Sequence, residues 1–145
     1  MTLDNLVGNT LERIDTDPAA IRRLVKAAER NLADAQVEAI SAENRFDAAY
    51  KAIMQLANAA LQANGYRTLT SRPGHHMTMI QSLTRTIDLE RDRMITLDSL
   101  RKQRNVSDYA GDPVSNAAME ACIAHAQDLL GQIQSWLKAN RPDCV

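Results

Sequence analysis

Residues 97–109 read LDSLRKQRNVSDY, a stretch that changes from a core pattern to a polar one. On a helix of 3.6 residues per turn, Leu97 and Leu100 lie on one apolar stripe. The same stripe continues with Arg101, Arg104 and Asp108. Charged residues that point inward need partners or a function, because an unpaired buried charge is costly. The stretch therefore predicts a helix that joins the core at one end and forms a polar site at the other.

A simpler interpretation of this stretch is a structural pair at the rim of the protein. Arg104 and Asp108 are four residues apart, so on a helix they can form a solvated ion pair worth about 0.3 to 0.5 kcal/mol. Tyr109 would then pack over that pair. From the residues alone, the polar site and the structural pair both stay open.

Apolar spacing and capping signals predict the helices in the first half of the chain. Residues 3–14 have apolar side chains along one side of a short helix. The Asp-Pro pair at 17–18 is a good helix start, and helical spacing continues from there to about Ile40. Ser41 is a suitable cap for a second long helix over about residues 42–63, which an Asn-Gly pair then stops.

The second half of the chain shows the same kind of signals. We predict a loop over residues 66–74, followed by a helical segment over 75–87. Asp88 is predicted to cap the helix that carries the stretch quoted above. The last helix is predicted to start near Pro113 and to finish before Pro142.

Composition supports an all-α fold. Aromatic residues make up only 3% of the 145 residues, and alanine is abundant, which favours closely packed helices over a sandwich of sheets. No strand pattern, internal repeat or domain linker is visible. We therefore expect a single domain over residues 1–145, built as an antiparallel bundle of four to five helices.

Charge and cysteine usage restrict the classes of function. The chain has 17 basic and 18 acidic side chains, so its net charge of −1 gives no bulk attraction to nucleic acid or to an anionic membrane. Any nucleic-acid contact must be local, and the densest basic cluster is Arg101, Lys102 and Arg104. Cys122 and Cys144 form neither a disulfide framework nor a metal-ligand spacing. The opening residues do not resemble a signal peptide and no apolar run reaches the roughly 20 residues that span a bilayer, so we expect a cytoplasmic protein.

Two adjacent histidines, His75 and His76, are candidates for chemistry. Neighbouring residues on a helix project about 100° apart, so we expect no metal site and no cofactor here. One imidazole is expected to pack against or cap the loop, and the other to lie near the arginine cluster, where it can act as an acid or a base. Glu43 is a candidate partner for these groups, and its place in the first turn of a helix explains it equally well.

Two segments of the chain resemble one family. Residues 65–67 (GYR) and 74–76 (GHH) are similar to a connection between helices in one bacterial branch of the HEPN superfamily. Residues 101–109 resemble the arginine, short variable spacer and histidine that this superfamily carries. HEPN domains are all-helical and are named for higher eukaryotes and prokaryotes nucleotide-binding. The resemblance extends from about Ser41 to Trp136 and implies a HEPN-like bundle that pairs as a homodimer.

The resemblance also implies roles for individual residues. In active HEPN ribonucleases, the arginine and the histidine meet across a homodimer and cut RNA without a metal. By position, Arg104 takes the arginine's role and Asn105 that of the polar residue that often follows it, while Tyr109 stands where the catalytic enzymes have histidine. Tyrosine has an ordinary pKa of about 10 against about 6.5 for histidine, so it is far harder to use as a general base at neutral pH.

Two functions follow as expectations. The first is a HEPN-like homodimer, without catalysis or weakly active, that binds a nucleotide, RNA or a protein partner. The alternative is a metal-independent endoribonuclease toxin, encoded with a nucleotidyltransferase-like antitoxin, whose base is Tyr109, His75 or His76. In either case the Arg104 guanidinium is expected to bind a phosphate through two parallel hydrogen bonds. The expected ligand-binding residues are Arg101, Arg104, Asn105, Asp108 and Glu43.

Overall fold

The computed structural model describes residues 2–71, 73–111 and 113–145, with the backbone alone at residues 107–110. The described chain is predominantly helical, so the prediction of an all-α bundle is confirmed. Its helices are α1 (Pro18–Ala35), α2 (Ala42–Ala63), α3 (His75–Gln81), α4 (Leu83–Thr86), α5 (Arg91–Ala110) and α6 (Asn116–Asn140). Short 3₁₀ turns lie at Leu3–Leu6 and Pro142–Cys144. No helix in these described ranges is long and apolar enough to cross a membrane.

Helix α2 lies at the centre of the bundle and packs against α1 and α6. Its bounds agree with the prediction, and the Ser41 hydroxyl caps it by accepting a hydrogen bond from the Asn44 amide at 3.2 Å. Small side chains let the neighbouring helices approach closely, because alanine adds little volume at the contact. The alanines of α2 that are fully buried are Ala49, Ala52, Ala57, Ala59 and Ala60.

The prediction of a helix over residues 3–14 is wrong, and so is the expectation that the chain lacks strands. After the first 3₁₀ turn the chain reverses at Gly8, whose φ of +85° favours glycine. It then forms strand β1 (Leu11–Arg13), which pairs antiparallel with β2 (Tyr66–Thr68) in the segment that was predicted as a loop. The buried Leu11 anchors this small sheet on the core.

Several helix ends also differ from the predictions. Helix α1 ends at Ala35, and Ile40, the predicted end, is 38% exposed. The predicted helix over 75–87 is divided at Ser82, whose hydroxyl donates to the Met79 carbonyl at 2.8 Å. Apolar spacing alone could not reveal either ending.

The starts of the last two helices differ from the predictions. Asp88 does not cap α5, since its backbone is left-handed with φ +54° and the helix begins later, at Arg91. Helix α6 begins at Asn116 and is capped by Ser115, whose hydroxyl accepts from the Ala118 amide at 3.1 Å. Serine supplies the acceptor that the first helical amides lack.

Candidate functional site

A groove of about 540 Å³ lies between α2, α3 and α5, which is within the size range of small-ligand sites. Helix α2 supplies one wall, from side chains that recur three and four residues apart and so share one face. Helix α3 and the segment before it supply the other wall. The groove is lined by Asp47, Tyr50, Lys51, Met54, Gln55, Asn58, Thr70, His75, His76, Met79 and Arg104.

Arg104 comes from α5 and lies over the ring of Tyr50. Its guanidinium carbon is 5.0 Å from the centre of that ring, and its Nε is 3.7 Å from the Asp47 carboxylate. A cation over an aromatic face is attracted by the negative face of the ring. The ring and the carboxylate together orient the guanidinium at one end of the groove.

Tyr50 is only 2% exposed, and it connects Arg104 with His76. Its hydroxyl lies 3.3 Å from His76 Nδ1. Burial raises the pKa of Tyr50 to about 12, although the nearby guanidinium groups of Arg104 and Arg101 act in the opposite direction. The phenol therefore keeps its proton at neutral pH and is available to donate to the imidazole.

His76 is held in its neutral form. Burial lowers its pKa, and the neighbouring positive charges of His75, Arg104 and Arg101 lower it further. A neutral imidazole that accepts a hydrogen bond from the tyrosine hydroxyl at Nδ1 carries its own proton on Nε2. The His75 ring lies edge-on to it, with ring centres 4.7 Å apart.

Arg101 lies beside the groove in an ion pair of its own. Its Nε is 2.8 Å from Asp98 Oδ1, and both side chains are largely buried. Lys102 approaches the same carboxylate at 3.8 Å from the solvent side. Arg101 therefore contributes positive potential near His76 while its guanidinium is held by Asp98.

The other predicted site residues lie in different places. Glu43 accepts a hydrogen bond from the Val114 amide at 3.2 Å, which ties α2 to the segment before α6. Asn105 is exposed on α5 next to Arg104. The side chains of Asp108 and Tyr109 lie outside the described residues. The structure thus brings His75, His76 and Arg104 to one groove and gives Glu43 a structural contact.

Sequence reasoning missed the contribution of α2 to the site. Helical spacing places Tyr50 on the apolar face of that helix, together with residues that are purely core. A tyrosine on a core face needs a hydrogen-bond partner for its hydroxyl, and this requirement is the sequence feature that points to a polar contact at Tyr50. Asp47, Lys51, Gln55 and Asn58 also recur at helical spacing beside it, which indicates a polar edge along the same helix.

Within the described ranges, no three or more His, Cys, Asp or Glu residues are placed to hold a metal ion. No family model matches the chain, and no curated protein matches it. The resemblance to the HEPN superfamily therefore stays a prediction.

Proposed function

We propose that the groove binds a phosphate-bearing ligand, a nucleotide or a segment of RNA, without cleaving it. The observation that carries this proposal is the Arg104 guanidinium, oriented over Tyr50 beside His75 and His76 in a groove of ligand size. A guanidinium presents parallel N–H donors that match the oxygens of a phosphate. An arginine already held by its neighbours loses less side-chain entropy when the phosphate binds.

The charges around the groove support an anionic ligand. The whole chain has a net charge of −1, but among the described residues around the groove cations outnumber carboxylates. The cations are Lys51, Arg101, Lys102 and Arg104, and the carboxylates are Asp47 and Asp98. Affinity for a phosphate-bearing ligand is then expected to fall as salt is added.

The protonation of the site favours binding over cleavage. Tyr50 keeps its proton, and when it donates that proton in the hydrogen bond to His76 Nδ1, the neutral imidazole presents an N–H donor at Nε2. Tyr109, which stands at the position of the superfamily's histidine, is a weak base at neutral pH. Donors around a guanidinium hold a phosphate but do not remove the proton of a ribose hydroxyl.

Substitution of Arg104 tests this proposal. Binding of a labelled single-stranded RNA and of nucleoside monophosphates is measured at fixed, low salt by fluorescence anisotropy and calorimetry. Arg104→Ala should weaken binding by about 1 to 3 kcal/mol, the range for a charge-assisted hydrogen bond, while helicity persists. Arg23→Ala removes an equal charge from an exposed position on α1 and is the matched control.

Two results would overturn this proposal. One is a wild-type protein that binds neither ligand at low salt. The other is an Arg104→Ala variant that binds as tightly as the Arg23→Ala control. If Arg104→Ala lowers only the melting temperature, the arginine is a structural residue.

A second candidate function is metal-independent cleavage of RNA, and the pair of imidazoles beside Arg104 favours it. One imidazole can remove the proton from the ribose 2′-hydroxyl, the guanidinium can stabilise the phosphate charge, and water can supply the proton that the leaving 5′-oxygen takes up. With Nε2 of His76 protonated, His75 is the candidate base. RNA cleavage in the presence of a chelator, lost in both Arg104→Ala and His75→Ala, would replace the binding-only proposal. Only this second candidate function implies a nucleotidyltransferase-like antitoxin as a partner.

We also propose that the protein is a homodimer paired through α5. This helix carries Arg104 and exposes Ile95 and Val106, and pairing along it would bring two grooves close together. Light scattering should give twice the chain mass of 16.1 kDa at micromolar concentration. A mass of one chain at every concentration would refute the dimer and leave the groove proposal intact.

A further inference from the structure

Two carboxamide side chains, Gln55 and Asn58, line the groove one helical turn apart on α2. Both have their carbonyl oxygen engaged. Gln55 Oε1 accepts from Asn31 Nδ2 at 2.7 Å, and Asn58 Oδ1 accepts from Gln62 Nε2 at 3.2 Å. Neither Gln55 Nε2 nor Asn58 Nδ2 donates a hydrogen bond to another described residue. This part of the groove therefore presents N–H donors.

The remaining polar groups of the groove are mostly donors as well. Lys51 and Arg104 have no acceptor atoms, and His76 presents an N–H when Tyr50 donates to its other nitrogen. Of the described residues that line the groove, the one carboxylate is Asp47, which is paired with Arg104. A ligand that fits this lining must supply acceptors along its length.

The two ends of the groove are far enough apart to bind different parts of one ligand. Between Tyr50, whose ring lies under the Arg104 guanidinium, and the two carboxamides the helix rises about 8 to 12 Å, at about 1.5 Å per residue. The guanidinium of Arg104 lies at the first end, and the carboxamides lie at the second. This separation is comparable with the extended length of a nucleoside monophosphate, with its phosphate at Arg104 and its base at the carboxamides.

We propose that Gln55 and Asn58 select nucleotides by the base. A base with a carbonyl oxygen at the contact, uracil or guanine, is preferred to one with an amino group there, cytosine or adenine. This inference rests on the proposed function and names the ligand class of the same groove. Uracil and guanine have an acceptor oxygen at the position where cytosine and adenine have an amino donor. An amino group facing the carboxamide N–H groups leaves donors unpaired on both sides, which is costly.

Matched pairs of nucleotides test the inference on the wild-type protein. Titration calorimetry compares UMP with CMP and GMP with AMP, and inorganic phosphate measures the Arg104 end alone. We expect each carbonyl-bearing nucleotide to bind at least about tenfold tighter than its amino-bearing counterpart, the effect of one hydrogen bond gained and one donor left unpaired. The order of UMP and GMP then shows whether the groove prefers the smaller or the larger base.

Asn58→Asp and Gln55→Glu sharpen the test, because each replaces a donor by an acceptor of the same size. The partner amides of Gln62 and Asn31 can still donate to the new carboxylates, so the local structure is expected to persist. The UMP-to-CMP ratio of affinities should fall toward or below one in each variant. Because the added charge affects both nucleotides alike, it cancels in this ratio, and Asn140→Asp at an exposed position of α6 is the control.

The outcomes separate the two proposals. Absence of binding for all four nucleotides and for RNA refutes the proposed function itself. Nucleotide binding that depends on Arg104 but shows equal affinities within each pair refutes the inference alone. The inference alone is also refuted if both variants remain folded by circular dichroism and leave the UMP-to-CMP ratio of affinities unchanged.

Discussion

The two faces of helix α2 differ in chemistry and in what holds their side chains. Toward α1 and α6 the helix buries aliphatic side chains such as Ile53 and Ala57 completely. Along the groove it presents Tyr50, Gln55 and Asn58, which are held by individual hydrogen bonds, that of Gln55 coming from Asn31 of α1. The first face is stabilised by removing apolar surface from water, and the second by a few directional contacts.

This difference predicts that stability and ligand binding respond to different substitutions. A close-packed face cannot absorb a change of volume, so truncation there leaves a cavity. A polar wall exposed to a groove can exchange a side chain for another of similar size with a small loss of stability. The following substitutions test this separation, beginning with the largest expected effect.

The largest loss of stability is expected from Phe46→Ala on the packed face. Phe46 is 1% exposed and belongs to the main core. Its truncation should lower the free energy of unfolding by about 3 to 5 kcal/mol, through lost burial and the cavity left behind. Urea denaturation measures this loss, with the exposed Lys51→Ala as the groove-side control. A loss below about 1 kcal/mol would show that the packed face is less tightly built than its burial indicates.

A smaller effect is expected from Tyr50→Phe, which removes one hydroxyl but keeps the ring under Arg104. The hydrogen bond to His76 is lost, so the free energy of unfolding should fall by about 0.5 to 1.5 kcal/mol. Nucleotide binding through Arg104 should persist, because the cation still lies on an aromatic face. Urea denaturation and calorimetry measure the two quantities. A loss of binding without a loss of stability would mean that the hydroxyl itself contacts the ligand.

The smallest effect concerns the pH dependence of stability. The folded-state pKa of His76 lies below its ordinary value of 6.5, because of burial and the facing charges of His75, Arg104 and Arg101. Below pH 6.5 the unfolded chain then binds more protons at this residue than the folded protein does. Stability should therefore fall as the pH falls through that range toward the folded-state pKa.

His76→Gln isolates this contribution, since glutamine is neutral at every pH used. Urea midpoints at about pH 7.5 and about pH 5.5 should differ less in the variant than in the wild type. His125→Gln, on α6 and outside the groove, is the control. An equal pH dependence in wild type and His76→Gln would show that other groups cause it.

The sequence by itself determined the elements whose signals are local. The bounds of α2 could be predicted because Ser41, the apolar spacing and the Asn-Gly stop are all read within that segment. The inward position of Arg101 and Arg104 followed from the periodicity of one helix, and the side chains of both are indeed partly buried. Capping and periodicity need no knowledge of the rest of the chain.

The tertiary structure alone decided which distant segments meet. Pairing of β1 with β2 joins residues more than fifty positions apart, so three residues that resemble a loop locally become a strand. The site itself joins Tyr50, His76 and Arg104 from three different helices. Their contact depends on how α3 and α5 pack against α2. The spacing of residues within any one helix carries no information about that packing.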